Sequence, residues 1–327
     1  MIDPIILIEQ VAVLVLIMIP GFLLAKCNLV TDNFGKSISN VILYAAQPAL
    51  IIMGFVSVDF NTDVILRMVM VFILALISHI LFYLLGLVVY KNAPDKMKRV
   101  LLFATVFTNA GYMGVPLLEA LFAREFPEIA IYGSVYISAF NIFCWSLGCY
   151  IYSKDKKYIS VKKIILNPAT ISTLVGLAFF ILSAFVPVRE AVIVPLFRQD
   201  GLVRSFVVNM KGLVAPLSML LIGFRFASLK LRGVFKDKYL YICIFVSLFV
   251  VPLIAFLLTK MVSWLGIYTD ALALSVILVS TAAPAATATG MFAEKFDGDA
   301  PYASLIVSVT SVLCVISMPI VSLLTLL

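Results

Sequence analysis

Ten apolar runs, each long enough to cross a lipid bilayer, follow one another along this 327-residue chain with only short connections between them. They cover residues 5–25, 37–58, 64–90, 100–122, 129–152, 164–186, 205–228, 239–266, 271–293 and 300–327. A spanning helix needs about 20 mostly apolar residues, so ten spans leave no stretch for a separate soluble domain. The runs are continuous, whereas strands of a membrane barrel alternate over segments of about ten residues. An open strand edge cannot survive in hydrocarbon either. The chain therefore reads as an all-α polytopic membrane protein with ten transmembrane helices. Hydrophobic residues make up 63% of it and charged residues 13%, against about 25% charged in a soluble domain. That balance excludes a water-soluble enzyme, a disordered chain and a nucleic-acid binder.

Charge sets the orientation. Of the 24 Lys and Arg residues, 17 stand in or beside the connections after spans 1, 3, 5, 7 and 9. Examples are Lys96, Lys98 and Arg99, then Lys154, Lys157 and Lys162, then Lys230, Arg232 and Lys236. The basic side faces the cytoplasm, which leaves both termini extracytoplasmic. The first run lacks a basic flank and a small-residue cleavage site, so it reads as a retained span. The five cysteines show no metal or disulfide spacing and read as buried free thiols.

The two halves of the chain resemble each other. Phe122-Ala-Arg-Glu-Phe126 matches Phe292-Ala-Glu-Lys-Phe296 at an offset of 170, and Tyr132 and Tyr302 follow at the same offset. Pro48 before Gly54-Phe55 matches Pro216 before Gly223-Phe224 at 168–169. Asn167-Pro168 opens span 6 much as Asp3-Pro4 opens span 1. Each half holds five spans, and an odd number inserts the second copy upside down. Inverted repeats are a recurring plan of secondary transporters, with the site at the repeat interface near mid-membrane.

Span 4 contains Thr108-Asn-Ala-Gly-Tyr-Met-Gly-Val-Pro116. Pro116 lacks an N–H and clashes with the preceding turn, and Gly111 and Gly114 weaken a helix further. The spacing predicts a break, with Asn109 or Gly111 ending one half-helix and Pro116 in the first turn of the next. The second half-helix would aim free N–H groups and a positive dipole end inward, where an anion binds. Ser280-Thr-Ala-Ala-Pro-Ala-Ala-Thr-Ala-Thr-Gly290 in span 9 is a softer version, with a plain proline kink as the alternative. Small residues there let two backbones approach closely.

Gln47-Pro48-Ala-Leu-Ile in span 2, Asn109-Ala-Gly-Tyr-Met-Gly-Val-Pro116 in span 4 and the Pro284 segment in span 9 resemble the auxin efflux carrier family. That family includes plant PIN carriers and bacterial permeases for small organic acids. The resemblance implies two inverted five-helix repeats, 1–152 and 164–327, joined by a basic cytoplasmic linker at 153–163. It implies that broken helices 4 and 9 cross near mid-membrane, in a fold similar to bile acid–sodium symporters and sodium–proton antiporters. Helices 1, 2, 6 and 7 would form a scaffold group, and helices 3–5 and 8–10 a transport group. Pro116 and Pro284 would be the prolines of the crossing, and Asn109 the polar position of helix 4. The chain lacks the long central loop of many plant members and looks like the compact bacterial type, in the plasma (inner) membrane.

The expected activity is secondary transport of a small organic anion, auxin-like or a mono- or dicarboxylate, by alternating access. Sodium or a proton is the expected coupling ion; no other cofactor and no nucleic acid is implied. A homodimer follows by analogy alone. The candidate substrate-binding residues are Gln47, Asn109, Gly111, Tyr112, Met113, Gly114, Pro116, Asn141, Pro284, Ala285 and Thr287. His79, Glu119 and Arg225 are the candidates for ion or proton coupling. His79 reads first as a packing histidine bonded to a neighbouring helix and second as a proton relay. Glu119, one turn past the break, either binds an ion or reaches a polar crevice. Arg225 suits carboxylate binding but lies near a span end, where snorkelling is the simpler reading. Asn141 reads as an interhelical hydrogen bond, and Glu9, Arg67 and Asp270 as interface residues. A channel, a sensor on a transporter fold and an intramembrane enzyme are the competing readings; one histidine without a partner motif makes the last a poor one.

Overall fold

Backbone groups in an apolar surrounding keep their hydrogen bonds only inside a helix or a closed sheet, and in the computed structural model of the chain the apolar runs are helical. The structure describes residues 4–31, 33–123, 125–155, 157, 159, 161–186, 189–227, 237–267 and 270–322. In chain order the main helices are α1 (Pro4–Lys26), α2 (Phe34–Val56) and α3 (Thr62–Val89). Then come α4a (Asp95–Val106), α4b (110–122), α5 (Ile129–Ser153), α6 (Pro168–Leu182) and α7 (Leu202–Ala227). The chain continues with α8 (Lys238–Trp264), α9a (Ala271–Ala282), α9b (Ala288–Lys295) and α10 (Ala300–Ser322). Among the described residues, α2, α3, α5, α7 and α8 are long and apolar enough to cross a membrane on length and composition. Short helices at Val161–Ile165 and in 189–196, which the apolar pattern does not reveal, fill the connections around α6. The basic connection at 228–236 and residues 323–327 lie outside the described residues.

Helix starts follow ordinary capping chemistry, in which a short polar side chain accepts from an otherwise orphaned N–H. Asn61 caps α3 through the Asp63 N–H at 2.8 Å, and Asn167 caps α6 through the Ala169 N–H at 2.9 Å. Asp237, Asp270 and Asp299 do the same for α8, α9a and α10. Proline shapes the interiors. Wide π turns at Ile42–Ala46, Ala110–Gly114, Arg189–Ile193 and Val246–Val250 each precede a proline by two residues: Pro48, Pro116, Pro195 and Pro252. A proline ring displaces the carbonyl one turn before it, and the wider turn relieves that clash.

Helix α3 is apolar on both faces. Val71, Leu74, Ala75, His79 and Phe82 point into the bundle, while Leu66, Val69, Ile73, Ile77, Ile80 and Leu84 form an exposed stripe at helical spacing. Such a stripe is stable only against another apolar surface, here lipid. The packing partners come in matched pairs. α1 packs on α7 as α2 packs on α6; α3 on α5 as α8 on α10; α3 on α4a as α8 on α9a; α5 on α9a as α10 on α4a. The α1–α7 contact is the most intimate. A Cβ on Gly21 would strike the Leu220 carbonyl, and one on Gly223 the Met18 carbonyl.

Charges gather at helix ends. Asp95, at the start of α4a, pairs with Lys154 and with Arg99 at 2.5 Å, and Arg99 also donates to the Tyr152 carbonyl at 2.6 Å. The bond from Lys154, then that from Arg99, holds the Asp95 carboxyl below the usual carboxylate range. At the opposite end Arg67 pairs with Asp270 at 2.7 Å and with Glu128 at 3.4 Å. Arg67 and Asp270 are thus half-buried partners that tie α3 to α9a. Of the cysteines, Cys144, Cys149, Cys243 and Cys314 are buried, as expected, but Cys27 is exposed, because α1 ends just before it.

Candidate functional site: a crossing of two broken helices

α4a ends at Val106, and the chain runs on extended through Phe107 (φ −110°, ψ 106°) before turning into α4b. α9a ends at Ala282, with Ala283 extended (φ −62°, ψ 151°). The two interruptions lie against each other. Thr108 and Ala285 form an antiparallel bridge. The Asn109 N–H donates to the Pro284 carbonyl at 2.6 Å, and the Ala286 N–H to the Phe107 carbonyl at 2.8 Å. The Thr108 hydroxyl donates to the Ser280 carbonyl at 2.8 Å, and the Ala285 N–H to the Thr310 hydroxyl at 3.2 Å. Two interrupted helices thereby satisfy each other's buried peptide groups.

Three expectations change. The first half of helix 4 stops at Val106, ahead of Asn109, because 107–109 is drawn out to pair with 284–286. Pro116 does stand in the first turn of an α-helical part, Val115–Phe122, but a π turn at Ala110–Gly114 separates it from the break. The break in helix 9 is as complete as that in helix 4, not a soft kink, since Pro284 offers a free carbonyl that Asn109 takes. The peptide groups at the breaks are also less bare than the sequence implies. Among those left are the first N–H groups of α4b, at Ala110, Gly111 and Tyr112, which precede any intrahelical acceptor; the Met113 and Gly114 N–H groups fold back to the Asn109 carbonyl.

A cavity of about 60 Å³ lies beside the crossing, between α2, α5, the start of α6 and α9b. That is room for about four waters or a comparably small solute. Its polar wall is neutral: Gln47, Thr108, Asn109, Tyr112, Asn141, Asn167 and Thr287, with the Gly111 backbone. Gln47 stands so close to Gly111 that a Cβ there would lie 3.2 Å from its amide nitrogen. The Asn109 side-chain nitrogen is buried and has no hydrogen-bond partner among the described residues. Asn141 bonds its own helix, donating to the Ile137 carbonyl at 2.9 Å, and not a neighbouring one. Asn167 and Thr108 escaped notice as site residues in the sequence; the cap signal Asn-Pro at the start of α6 was the available pointer to the former. Met113, Gly114, Pro116, Pro284 and Ala285 do not line the cavity. Met113 packs on Cys314, Gly114 faces Ser280, and Pro284 and Ala285 belong to the bridge itself.

The three coupling candidates stand apart from one another. His79 is fully buried among Phe107, Tyr136, Phe140 and Phe143, stacked on the last at 5.3 Å. Its Nδ1 bonds the Ala75 carbonyl of its own helix at 2.7 Å, not a neighbouring helix, and its Nε2 has no partner among the described residues. Glu119 pairs with Lys211 of α7 at 2.8 Å. Arg225 does not snorkel outward. Its guanidinium turns to the crossing and donates to the Thr287 carbonyl at 3.3 Å, because that carbonyl at the start of α9b is within reach. No cluster of three or more metal-ligating side chains occurs among the described residues.

The family described as Membrane transport protein matches residues 6–322 of the chain. A relative, the uncharacterized transporter MJ1031 of Methanocaldococcus jannaschii, is 24% identical over 121 residues, covering 36% of this chain and 39% of that protein. The match thus spans well under half of the relative's length.

Proposed function

The chain belongs to the Membrane transport protein family, that of the auxin efflux carriers, and from this premise we propose that it is a secondary active transporter for a small organic anion. The substrate sits in the cavity beside the crossing. The observation that carries this reading is the meeting of two helix interruptions beside a cavity lined by Asn109, whose side-chain nitrogen is buried with no partner among the described residues. A carboxylate needs several N–H donors and no competing negative charge. The amides of Gln47, Asn109, Asn141 and Asn167 and the N–H groups opening α4b are of that kind, and the dipole of α4b favours the same sign. The bound anion then leaves no carboxylate–carboxylate repulsion to overcome, and a neutral wall releases it more readily than an ion pair would.

Ten spans in two inverted repeats are supported by the matched packing pairs, in which the partners of α1–α5 are repeated by α6–α10. The scaffold grouping of α1, α2, α6 and α7 is supported by the α1–α7 and α2–α6 contacts. Under the positive-inside rule, the cavity faces the cytoplasmic half in the plasma membrane, since Asn167 and α9b border basic connections. Movement of one group against the other around the crossing would expose the site to each side in turn, driven by a sodium, proton or substrate gradient. Counterflow in liposomes tests this. Preloading with unlabelled organic acids one at a time should, for the true substrate, drive saturable accumulation of the labelled acid. Linear, unsaturable flux would make the protein a channel or facilitator instead.

A further inference from the structure

Glu119 and Lys211 join α4b of the transport group to α7 of the scaffold group, at 2.8 Å, with side chains 16% and 25% exposed. Both lie on the extracytoplasmic side of the crossing, opposite the cavity, in the orientation proposed above. We propose that this ion pair is the latch that closes an extracytoplasmic counterpart of the cavity. The inference rests on the alternating-access reading and adds to it the residues that hold one side shut.

The argument comes from comparing the two halves. At the repeat offset of 168–170, Lys211 corresponds to Leu43, Asn141 to Ser311, and Cys144 to Cys314. Leu43, Asn141 and Cys144 line the cavity. Their counterparts are packed against neighbours. Cys314 is fully buried with its Sγ 3.9 Å from the Met113 Sδ, and the Ser311 hydroxyl is turned back to the Val307 carbonyl at 2.6 Å. The same offset relates Glu119 to Thr289, a residue without charge. The position that is open between α2 and α9b is therefore sealed between α7 and α4b, and the seal carries a pair of opposite charges that the open side lacks. α1 also packs against α4b on this side. Two inverted copies of one design that differ in this way describe two stages of one motion. When α4b draws away from α7, the partly buried pair must separate into water, where an ion pair contributes little. The pair thus favours the closed outer side without adding charge to the binding site.

The native thiols report on it. A membrane-impermeant maleimide is applied to right-side-out and to inside-out membrane vesicles, and labelling of Cys144 and Cys314 is read by mass spectrometry, with exposed Cys27 as the cytoplasmic control. Glu119→Gln and Lys211→Met should each raise Cys314 labelling from outside about five-fold and lower Cys144 labelling from the cytoplasmic side. The exchange Glu119→Lys with Lys211→Glu should return both towards native rates. A Glu119→Cys, Lys211→Cys pair should crosslink on oxidation and suppress Cys314 labelling below the native rate, which reduction restores. Unchanged Cys314 labelling in both single variants, or no crosslink in a folded double variant, overturns the latch and leaves alternating access standing. A rise at Cys314 with no fall at Cys144 supports the latch but contradicts the alternating-access reading.

Discussion

Substituting valine for Gly223 should abolish the folded protein or lower its melting temperature by about 6 °C or more. Gly223 lies where α7 crosses α1, and an added Cβ would collide with the Met18 carbonyl while lying 3.0 Å from the Phe22 N–H nitrogen. Both obstacles are backbone, so no side-chain rotation relieves them. Gly21 presents the same problem from the other helix, against the Leu220 carbonyl. Glycine here is a requirement of close helix approach, as in other membrane bundles. The cost falls at about 3 kcal/mol, the upper end of the overpacking range, because a whole helix must shift. Gly212, whose Cβ would meet nothing within 4 Å, is the control, and alanine there should be tolerated. Size-exclusion profiles and thermal shifts of the purified variants read the difference. A Gly223→Val protein with native stability would mean that α1 and α7 do not cross as closely as described.

Alanine at Asn109 should cut transport of the true substrate by about 10- to 100-fold, the loss of a hydrogen bond to a charged group, with little change in stability. The two halves of this statement have separate causes. The bridge to α9 uses the Asn109 backbone, whose N–H reaches Pro284 and whose carbonyl receives Met113 and Gly114. The side-chain amide nitrogen has no partner to lose. Thr108→Val should in contrast lower stability, because its hydroxyl holds the Ser280 carbonyl, and its removal costs about 1 kcal/mol or more. Uptake into cells with matched expression, set beside melting temperatures, separates the two roles. Native uptake by Asn109→Ala would remove Asn109 from the site.

The helices were readable in the sequence because hydrocarbon admits few alternatives, and a continuous apolar run cannot be anything but a helix there. The breaks were readable because Pro116, Pro284 and the glycines cannot all be absorbed by one regular helix. Where each break falls was not, since it depends on a pairing between 107–109 and 284–286 that lies 170 or more residues apart in the chain. Pro116 marks the first turn of the α-helical part that follows, where a π turn relieves its clash locally, while the extended segment is fixed by a distant partner. Polar side chains were hardest to place. The Asn141 amide and the His79 Nδ1 bond carbonyls of their own helices, which periodicity does not distinguish from bonding to a neighbour. The direction of Arg225 was set by a carbonyl exposed only because α9 is broken. The Glu119–Lys211 pair joins α4b to α7, helices that are distant in sequence, and neither residue's spacing within its own helix announces the other.

A density map of the protein in lipid nanodiscs, taken with the acid that drives counterflow, tests the central claim most directly. The account predicts both rods interrupted, residues 107–109 beside 284–286 halfway through the lipid, and the acid's carboxylate within hydrogen-bond reach of the Asn109 amide and the N–H groups that open α4b. Unbroken rods, or an acid lodged away from that crossing, would contradict it.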